Sequence, residues 1–183
     1  MTVHALFFCL RPDPVTAAQL TAVSDALVQR FGLREKPPRT ERLHVTLHHL
    51  GWFDDADPVA LADVRQRAES AAASLRDAPA RVDFAEVLSF TRKPRNRPFV
   101  LSGGACLDEV RRLRAALGDE LAAVGLPVDP HFTPHLTLLY DDLAVPSQPL
   151  PMPAPGWTAR HLHLMDSLQG QSTHVALARW SLD

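Results

Sequence analysis

The chain has 183 residues, of which 46% are apolar, so it can build one sizeable hydrophobic core, and two independent domains are a weaker interpretation. A net charge near −2 excludes a surface coated with positive charge for broad nucleic-acid binding, so any contact with RNA is expected to be small and local. No stretch approaches about eighteen continuous apolar residues and the start lacks a secretory pattern, so we expect a cytoplasmic protein with no membrane contact. Cys9 and Cys106 stand in unrelated contexts, and we expect buried free thiols rather than a disulfide.

Apolar periodicity and turn residues predict alternating strands and helices. Asp57 followed by Pro58 is typical of a helix start, while Gly32 and Gly125 follow two predicted helix ends. In chain order, the pattern predicts a strand over 3–10, a helix over 15–31, a strand over 43–50, a helix over 58–75, a strand over 81–90, a short strand over 98–102, a helix over 107–124, a strand over 135–140, a proline-rich loop over 141–156, and strands over 157–165 and 173–182.

Two of the predicted strands carry the same pattern, His-x-Thr-Leu, about ninety residues apart. Side chains two apart in a strand project from the same face, so His44 lies beside Thr46, and His135 beside Thr137. If the two strands are neighbours, two imidazoles and two hydroxyls surround one small cleft. Imidazoles transfer protons near neutral pH and hydroxyls donate hydrogen bonds to anionic oxygens. The combination therefore favours attack on a phosphodiester.

The order of elements around each motif is also repeated. Strand, helix and His-x-Thr strand occur twice, with about forty and about thirty-five residues from the first strand to the histidine. Chance repetition of a short motif is the alternative, but both motifs fall at the same place in the repeated unit. The repeat predicts two lobes related by a pseudo-twofold axis, with the motifs facing each other across a groove.

The paired motifs resemble those of the two-histidine (2H) phosphoesterase superfamily. Leu43 precedes the first motif and Pro134 the second, and the segments 162–167 and 179–182 are similar to the closing hairpin of the LigT-like RNA 2′,3′-cyclic phosphodiesterases, also called 2′-5′ RNA ligases. The resemblance implies an α+β, bilobal fold in which each lobe is an antiparallel sheet backed by helices. It also implies one domain over 1–183, with no cofactor and no metal. We expect a monomer.

The resemblance also implies roles for individual residues. His44 and His135 act as general acid and general base, and Thr46 and Thr137 hold the non-bridging phosphate oxygens. Which histidine is the acid cannot be read from the sequence, although the family is usually drawn with the first as acid. Tyr140 stands where many members have an arginine that meets the phosphate. Its hydroxyl can donate one hydrogen bond but brings no charge.

A dense basic run at 92–97 and several aromatic residues near the motifs are further candidates. Arg92, Arg95 and Arg97 either form a rim that follows flanking phosphates or belong to a solvated loop. Near the motifs, three aromatic side chains can stack on a base, although core packing is the alternative for at least two of them: Phe132, Phe53 and Trp52.

Histidines four residues apart occur at both motifs, His44 with His48 and His131 with His135. On a helix this spacing is typical of zinc ligands, but in a strand such residues lie about 13 Å apart. We therefore expect no metal site. His174 stands where the closing hairpin of the family more often has tyrosine, and the sequence assigns it no function.

Three hypotheses about function remain open at this point. The first is a metal-independent enzyme that opens 2′,3′-cyclic phosphate ends of RNA to 2′-phosphates, with possible reverse 2′-5′ ligation. The second keeps the same site but acts on a small nucleotide, such as a cyclic phosphate of ADP-ribose or a 2′-5′ oligonucleotide. The third is a module that binds phosphate ends without turnover, which the intact histidines and threonines argue against.

Overall fold

A computed structural model describes residues 2–37, 39–104, 107–171 and 173–183 of the chain. No helix in these residues is long and apolar enough to cross a membrane. The helices are α1 (Pro14–Phe31), α2 (Pro58–Ser74) and α3 (Leu107–Ala123), with a short 3-10 helix at Thr40–Arg42. The strands are β1 (Val3–Leu10), β2 (Val45–Asp54), β3 (Ala80–Val82), β4 (Glu86–Ser89), β5 (Arg97–Ser102), β6 (Leu136–Asp141), β7 (Gln148–Pro149), β8 (Trp157–Ala159), β9 (His161–Leu168) and β10 (Thr173–Ser181).

Most of the strands in the described residues belong to one eight-stranded sheet, in the order β10-β9-β1-β2-β6-β5-β4-β7. Each neighbouring pair in it is antiparallel. Strands β3 and β8 form a separate two-stranded ladder. The predicted α+β class is confirmed.

The large sheet has two four-stranded halves that meet at β2 and β6. Their pairing is limited to one residue pair, Val45 with Leu136. On one side β1, α1 and β2 follow each other in the chain, and on the other β5, α3 and β6 do so in mirrored positions. The predicted repeat of strand, helix and motif strand is therefore confirmed, and the separation of the halves into two lobes stays a prediction.

The main core covers one face of the sheet. Leu6, Phe8 and Leu10 alternate along β1 and are fully buried in this core together with apolar residues of the helices. Phe7 and Cys9 point to the other face, where they form a small separate cluster with Met165. Each fully buried side chain of this size contributes roughly 1.5–3 kcal/mol to folding. Cys9 is a buried free thiol as predicted, and Cys106 lies outside the described residues.

Helix boundaries follow the predicted capping residues closely. Asp57 accepts a hydrogen bond from the amide of Ala60 at 2.9 Å, and Gly32 ends α1 in the left-handed conformation, with φ of 64°. Asp13 caps the start of α1 in the same way as Asp57 caps α2, so this helix begins one residue earlier than the periodicity predicts.

Two predicted strands are wrong because each is two strands of different sheets. The segment 81–90 is split between β3 and β4, and the segment 157–165 is split at Arg160 between β8 and β9. The predicted loop over 141–156 also contains the short strand β7. The first motif strand begins at Val45 and continues to Asp54, beyond the predicted end at 50.

The break after β3 occurs where the chain passes between two glycines. A Cβ on Gly104 would lie 2.7 Å from the backbone oxygen of Asp83, and a Cβ on Gly156 would lie 2.7 Å from that of Val82. Only glycine permits so close an approach of two backbones. The switch from one sheet to the other therefore depends on residues distant in sequence, and the pattern of 81–90 alone does not show it.

Candidate active site

A cleft of about 690 Å³ opens at the junction of the two half-sheets. Both motifs supply lining residues, His44 and Thr46 from the first and His135 and Thr137 from the second. The structure therefore brings together the four side chains that the sequence singles out. Each histidine stands directly before the first residue of its strand, β2 or β6.

The two motif histidines are fixed by the same backbone contact. His44 Nδ1 donates to the carbonyl of Arg42 at 2.6 Å, and His135 Nδ1 donates to the carbonyl of Thr133 at 2.7 Å. A carbonyl only accepts, so Nδ1 carries the proton in both rings and Nε2 is left to accept one. The motif thus fixes the tautomer as well as the position of each ring. Both histidines can exchange a proton through Nε2.

Burial keeps both rings neutral in the ligand-free protein. It lowers the pKa of His44 to about 4, although the hydrogen bond to Arg42 opposes the shift; electrostatic interaction with His174, His135 and Arg11 lowers it further. Burial also lowers the pKa of His135 below its ordinary value. A bound anion raises the pKa of a neighbouring imidazole. The site is therefore set up so that an anionic ligand brings the charge that one histidine needs to become an acid.

His174 packs beside the first motif histidine, although the sequence assigns it no role. Its ring centroid lies 5.4 Å from that of His44, and Phe7 lies 5.1 Å from His44 on β1. Arg42 donates to His174 Nε2 at 3.5 Å, so the His174 ring accepts there and is neutral. Burial, followed by the charges of Arg42 and Arg11, lowers the pKa of His174 to about 4. The sequence does not reveal this contact because it depends on the non-local pairing of β1 with β9 and of β9 with β10.

Strand alternation breaks directly after the threonine in both motifs. An extra residue, Leu47 in β2 and Leu138 in β6, is inserted between two pairs of opposite residues. Such a β-bulge places consecutive residues on one face and changes the facing of those that follow. The pairs on either side of the two bulges are Cys9 with Thr46 and Phe8 with His48 in β2, and Val100 with Thr137 and Phe99 with Leu139 in β6.

The bulges decide which later residues reach the cleft. The third residue after each threonine, His49 in the first motif and Tyr140 in the second, lines the cleft. Simple alternation would place His48 there instead. His48 is buried on the helix-facing side, where its Nε2 donates to the carbonyl of Arg114 at 2.8 Å. His44 and His48 therefore lie on opposite faces of the sheet.

The basic run of 92–97 reaches the cleft through Asn96, which is among the lining residues. Arg92 and Arg95 are exposed, and Arg97 donates to the carbonyls of Lys93, at 3.1 Å, and Asp142. The described lining residues do not include these three arginines, so their role as a substrate rim stays a prediction.

Of the three aromatic candidates, one is placed to stack on a base. Trp52 is 62% exposed, lines the cleft and has its ring 5.0 Å from that of His49. Phe53 packs against the core, and Phe132 does so as well, with the guanidinium of Arg114 4.6 Å from its ring centroid. The contacts of Phe132 are therefore those of a packing residue outside the cleft lining.

The loop before β2 supplies lining residues that the sequence did not single out. Asp141, which follows Tyr140, accepts hydrogen bonds from the amides of Arg34 at 2.7 Å and Glu35 at 3.1 Å. These bonds hold Glu35 and Lys36 at the edge of the cleft. With Arg42, Lys36 brings positive charge to a wall where Tyr140 brings none. No local pattern marks these residues, because a contact across more than one hundred positions places them.

In the described residues, no three histidine, cysteine, aspartate or glutamate side chains are grouped so that they could hold a metal ion. Metal independence stays a prediction.

Comparison with solved structures shows the fold. The chain is similar to LigT of E. coli without ligand, with 20% identity over 100% of this chain and 99% of that chain and a TM-score of 0.72. It is also similar to E. coli LigT in complex with 3′-AMP, with 19% identity, 98% of each chain covered and a TM-score of 0.73. The protein TT0787 of Thermus thermophilus matches with 21% identity, 97% of each chain covered and a TM-score of 0.69.

No curated protein matches the chain by sequence. The profile of the 2′-5′ RNA ligase superfamily does match, over residues 12–171. This match spans both histidine motifs and most of the strands that build the cleft. The chain therefore belongs to the 2′-5′ RNA ligase superfamily.

Proposed function

We propose that the protein is an RNA 2′,3′-cyclic phosphodiesterase, which opens cyclic phosphate ends to 2′-phosphates with water and forms a 2′-5′ linkage when a 5′-hydroxyl attacks phosphorus in place of water. Membership of the superfamily supports an enzyme that acts on phosphodiester bonds. The observation that carries the specific proposal is the pair of identically tethered histidines in one cleft, each with a threonine two residues later.

In the proposed reaction, one Nε2 removes a proton from water as the water oxygen attacks phosphorus. The other imidazole, protonated at Nε2, gives its proton to the ribose O3′ as the bond from phosphorus to O3′ breaks. The hydroxyls of Thr46 and Thr137 donate to the non-bridging oxygens, where negative charge increases in the transition state. The cyclic diester and water thus become a 2′-phosphate and a free 3′-hydroxyl. The histidines end in exchanged protonation states.

The surroundings of the two rings favour His44 as the base. Burial, together with electrostatic interaction with His174, His135 and Arg11, keeps His44 neutral, so it is ready to accept a proton. Burial lowers the pKa of His135 as well, and the hydrogen bond to the carbonyl of Thr133 opposes the shift. A bound phosphate anion would therefore favour His135 as the protonated acid. This assignment reverses the order in which the family is usually drawn.

A small nucleotide is the second candidate substrate. The cleft volume of about 690 Å³ lies within the range of small-molecule sites. Structures of E. coli LigT are described as complexes with 3′-AMP, NADP+ and ATP. These ligands favour a nucleotide-sized occupant, such as a cyclic phosphate of ADP-ribose or a 2′-5′ oligonucleotide.

A substrate panel tests the proposal. Purified protein in excess EDTA is given a cyclic-phosphate RNA oligonucleotide, a nucleoside 2′,3′-cyclic phosphate, a cyclic phosphate of ADP-ribose and a 2′-5′ oligonucleotide, and 31P NMR assigns the products. We expect 2′-phosphate products, with the RNA end converted with the highest kcat/KM, and no loss of rate in EDTA. A rate lost in EDTA and restored by zinc or manganese would contradict the proposal, as would 3′-phosphate products.

The matched control in this panel is an exposed histidine that does not line the cleft. We expect His131→Ala to keep the wild-type rate, whereas the double variant His44→Ala/His135→Ala binds substrate without turning it over. Binding by the wild type with no turnover of any member of the panel would instead favour the phosphate-end binding module.

A further inference from the structure

A second cavity, of about 440 Å³, lies at the carboxyl end of β1 and is rich in basic side chains. We call it the basic pocket. Its lining includes the arginines Arg11, Arg160 and Arg179 and the histidines His161 and His163. The proposed reaction uses none of these side chains directly. Arg11 affects it only through its charge, which lowers the pKa of His44.

The basic pocket lies on the same face of the sheet as the cleft. Thr46 pairs with Cys9, Cys9 pairs with His163, and His163 pairs with Arg179, so the four residues form one row across β2, β1, β9 and β10. Directly opposite residues in antiparallel strands project from the same face. Neighbouring strands are about 4.8 Å apart, which puts His163 roughly 10 Å and Arg179 roughly 14 Å from Thr46.

Arg11 connects the two sites electrostatically. Its charge lowers the pKa of His163 in the basic pocket and those of His44 and His174 in the cleft. Its guanidinium donates to the carbonyl of Glu41 at 2.8 Å, and that backbone oxygen does not neutralise it. An anion that occupies either site is therefore attracted by the same arginine.

The remaining guanidinium groups of the pocket belong to Arg160 and Arg179. In the described part of the chain, Arg160 and Arg179 form no ion pair and no side-chain hydrogen bond. Both side chains are exposed. Exposed arginines with free donors, clustered around a concave surface, are the arrangement that binds phosphate oxygens.

Among the described lining residues, one side chain is a carboxylate, and its oxygens already accept hydrogen bonds. Asp13 accepts from the amides of Val15 and Thr16, both at 3.0 Å, and from the Thr16 hydroxyl at 2.6 Å, as the cap of α1. Its charge is further balanced by the positive end of the dipole of this 18-residue helix. The carboxylate therefore offsets only part of the positive charge of three arginines.

The pocket wall also contains an unused donor. Trp157 lines the pocket and is 5% exposed, and its buried indole Nε1 has no hydrogen-bond partner among the described residues. This donor lies beneath the surface of the pocket, so the arginines are the groups that a ligand meets, and they favour an oxygen-rich anion.

We propose that the basic pocket binds a backbone phosphate of the same RNA strand whose cyclic end occupies the cleft. This inference rests on the proposed function, and it names the substrate class: a strand of several nucleotides rather than a mononucleotide. The common face, the row of paired residues and the shared influence of Arg11 make one polyanionic ligand the simplest occupant of both sites.

Binding and turnover are compared in the variant Arg160→Gln/Arg179→Gln, with Arg65→Gln/Arg111→Gln as the matched control. The control also removes two arginine charges, but from the exposed surfaces of α2 and α3, outside both cavities. The first measurement is fluorescence anisotropy of a labelled oligonucleotide with a 3′-phosphate, and of 3′-AMP by competition, at several salt concentrations. The second is the ratio of kcat/KM for a cyclic-phosphate oligonucleotide to that for a nucleoside 2′,3′-cyclic phosphate.

We expect the pocket variant to bind the oligonucleotide about tenfold more weakly, with a dependence of log K on log salt that is shallower by about 0.7 per phosphate lost. The kcat/KM ratio should fall by a similar factor, whereas the control keeps the wild-type values. Equal oligonucleotide affinity in the two variants, or an equal loss for 3′-AMP, would overturn the inference. If no cyclic phosphate is turned over by the wild type, the proposed function fails, and the anisotropy arm still decides whether the pocket binds RNA.

Discussion

In both His44 and His135, Nδ1 donates to the backbone carbonyl two residues before the histidine. The two rings nevertheless contact different neighbours. Phe7 and His174 surround His44, with ring centroids 5.1 and 5.4 Å away, whereas Phe90 meets His135 edge-on at 4.9 Å. Charged groups lower the pKa of His44 in addition to burial, and for His135 burial is the cause. The comparison teaches that the motif itself sets orientation and tautomer, while the neighbouring strands set the pKa.

The different surroundings of the two histidines have a functional consequence. A repeated motif by itself would give two equivalent histidines, but acid–base catalysis requires two that differ in protonation state. The rings beside His44 come from β1 and β10, and the ring beside His135 comes from the segment after β4, so the two histidines have different surroundings. Substitutions in the two halves therefore test whether the sites are equivalent.

The largest expected effect comes from removing either imidazole. We predict that His44→Ala and His135→Ala each lower kcat by about 10²–10⁴, the range of positioned acid–base catalysis. The double variant should lose less than the product of the two, because both groups act in one transition state. Steady-state kinetics with thermal unfolding as the folding control provides the measurement. A variant with wild-type rate and wild-type stability would show that the two-histidine mechanism is wrong.

The two threonines should be more alike than the two histidines. Thr46→Val and Thr137→Val keep a β-branched strand residue but remove a donor to the anion, and each should cost about 2–4 kcal/mol of transition-state stabilisation. Both should act mainly on kcat. An unimpaired rate in either variant would mean that the corresponding half of the cleft does not hold the phosphate.

A smaller effect is expected at the third residue after each threonine, where the bulges place Tyr140 and His49. Tyr140→Phe removes a single neutral donor, so we expect a loss of about 0.5–1.5 kcal/mol in kcat/KM. Tyr140→Arg should lower KM for anionic substrates, because the 50% exposed position lines the cleft beside the motif. If Tyr140→Phe costs as much as Thr137→Val, the hydroxyl is a principal phosphate contact.

A histidine outside the cleft shows the opposite shift and a smaller, structural effect. Hydrogen bonds to Asp166 at 2.6 Å and Asp55 at 3.0 Å raise the pKa of His4. This raised pKa stabilises the fold fully below the unfolded value of about 6.5, and the contribution is lost as the pH rises through the folded value. In urea unfolding, His4→Asn should therefore be more destabilising at about pH 5.5 than at about pH 9. A pH-independent difference would show that the ion pairs do not contribute.

Local periodicity was sufficient to place the four principal side chains of the cleft. His44, Thr46, His135 and Thr137 depend only on strand alternation and on the adjacency of two similar strands, and the capping residues Asp57 and Gly32 depend on their own helix ends. Strand alternation and capping residues lie within a few positions of the feature that they determine, so the sequence alone shows them.

Features that depend on distant contacts were not accessible in the same way. The family resemblance pointed to Tyr140, but alternation does not predict its facing, because the bulge arises from the pairing of β6 with β5. Lys36 lines the cleft because Asp141 accepts hydrogen bonds from the loop before β2. His174 lines it because β1 pairs with β9 and β9 pairs with β10. The switch of sheets after Val82 likewise requires glycines that lie far along the chain.

The dependence of rate on pH tests the central claim, paired and unequal histidines, most directly. The base is active above its pKa and the acid below its own, so both kcat/KM and kcat should give bell-shaped profiles. In the free protein, burial lowers the pKa values of both histidines below the ordinary value of 6.5. The pH optimum of kcat/KM should therefore lie below 6.5. A bound phosphate raises them, so the kcat optimum should lie at higher pH. A flat profile, or a single limb in both parameters, would contradict the account.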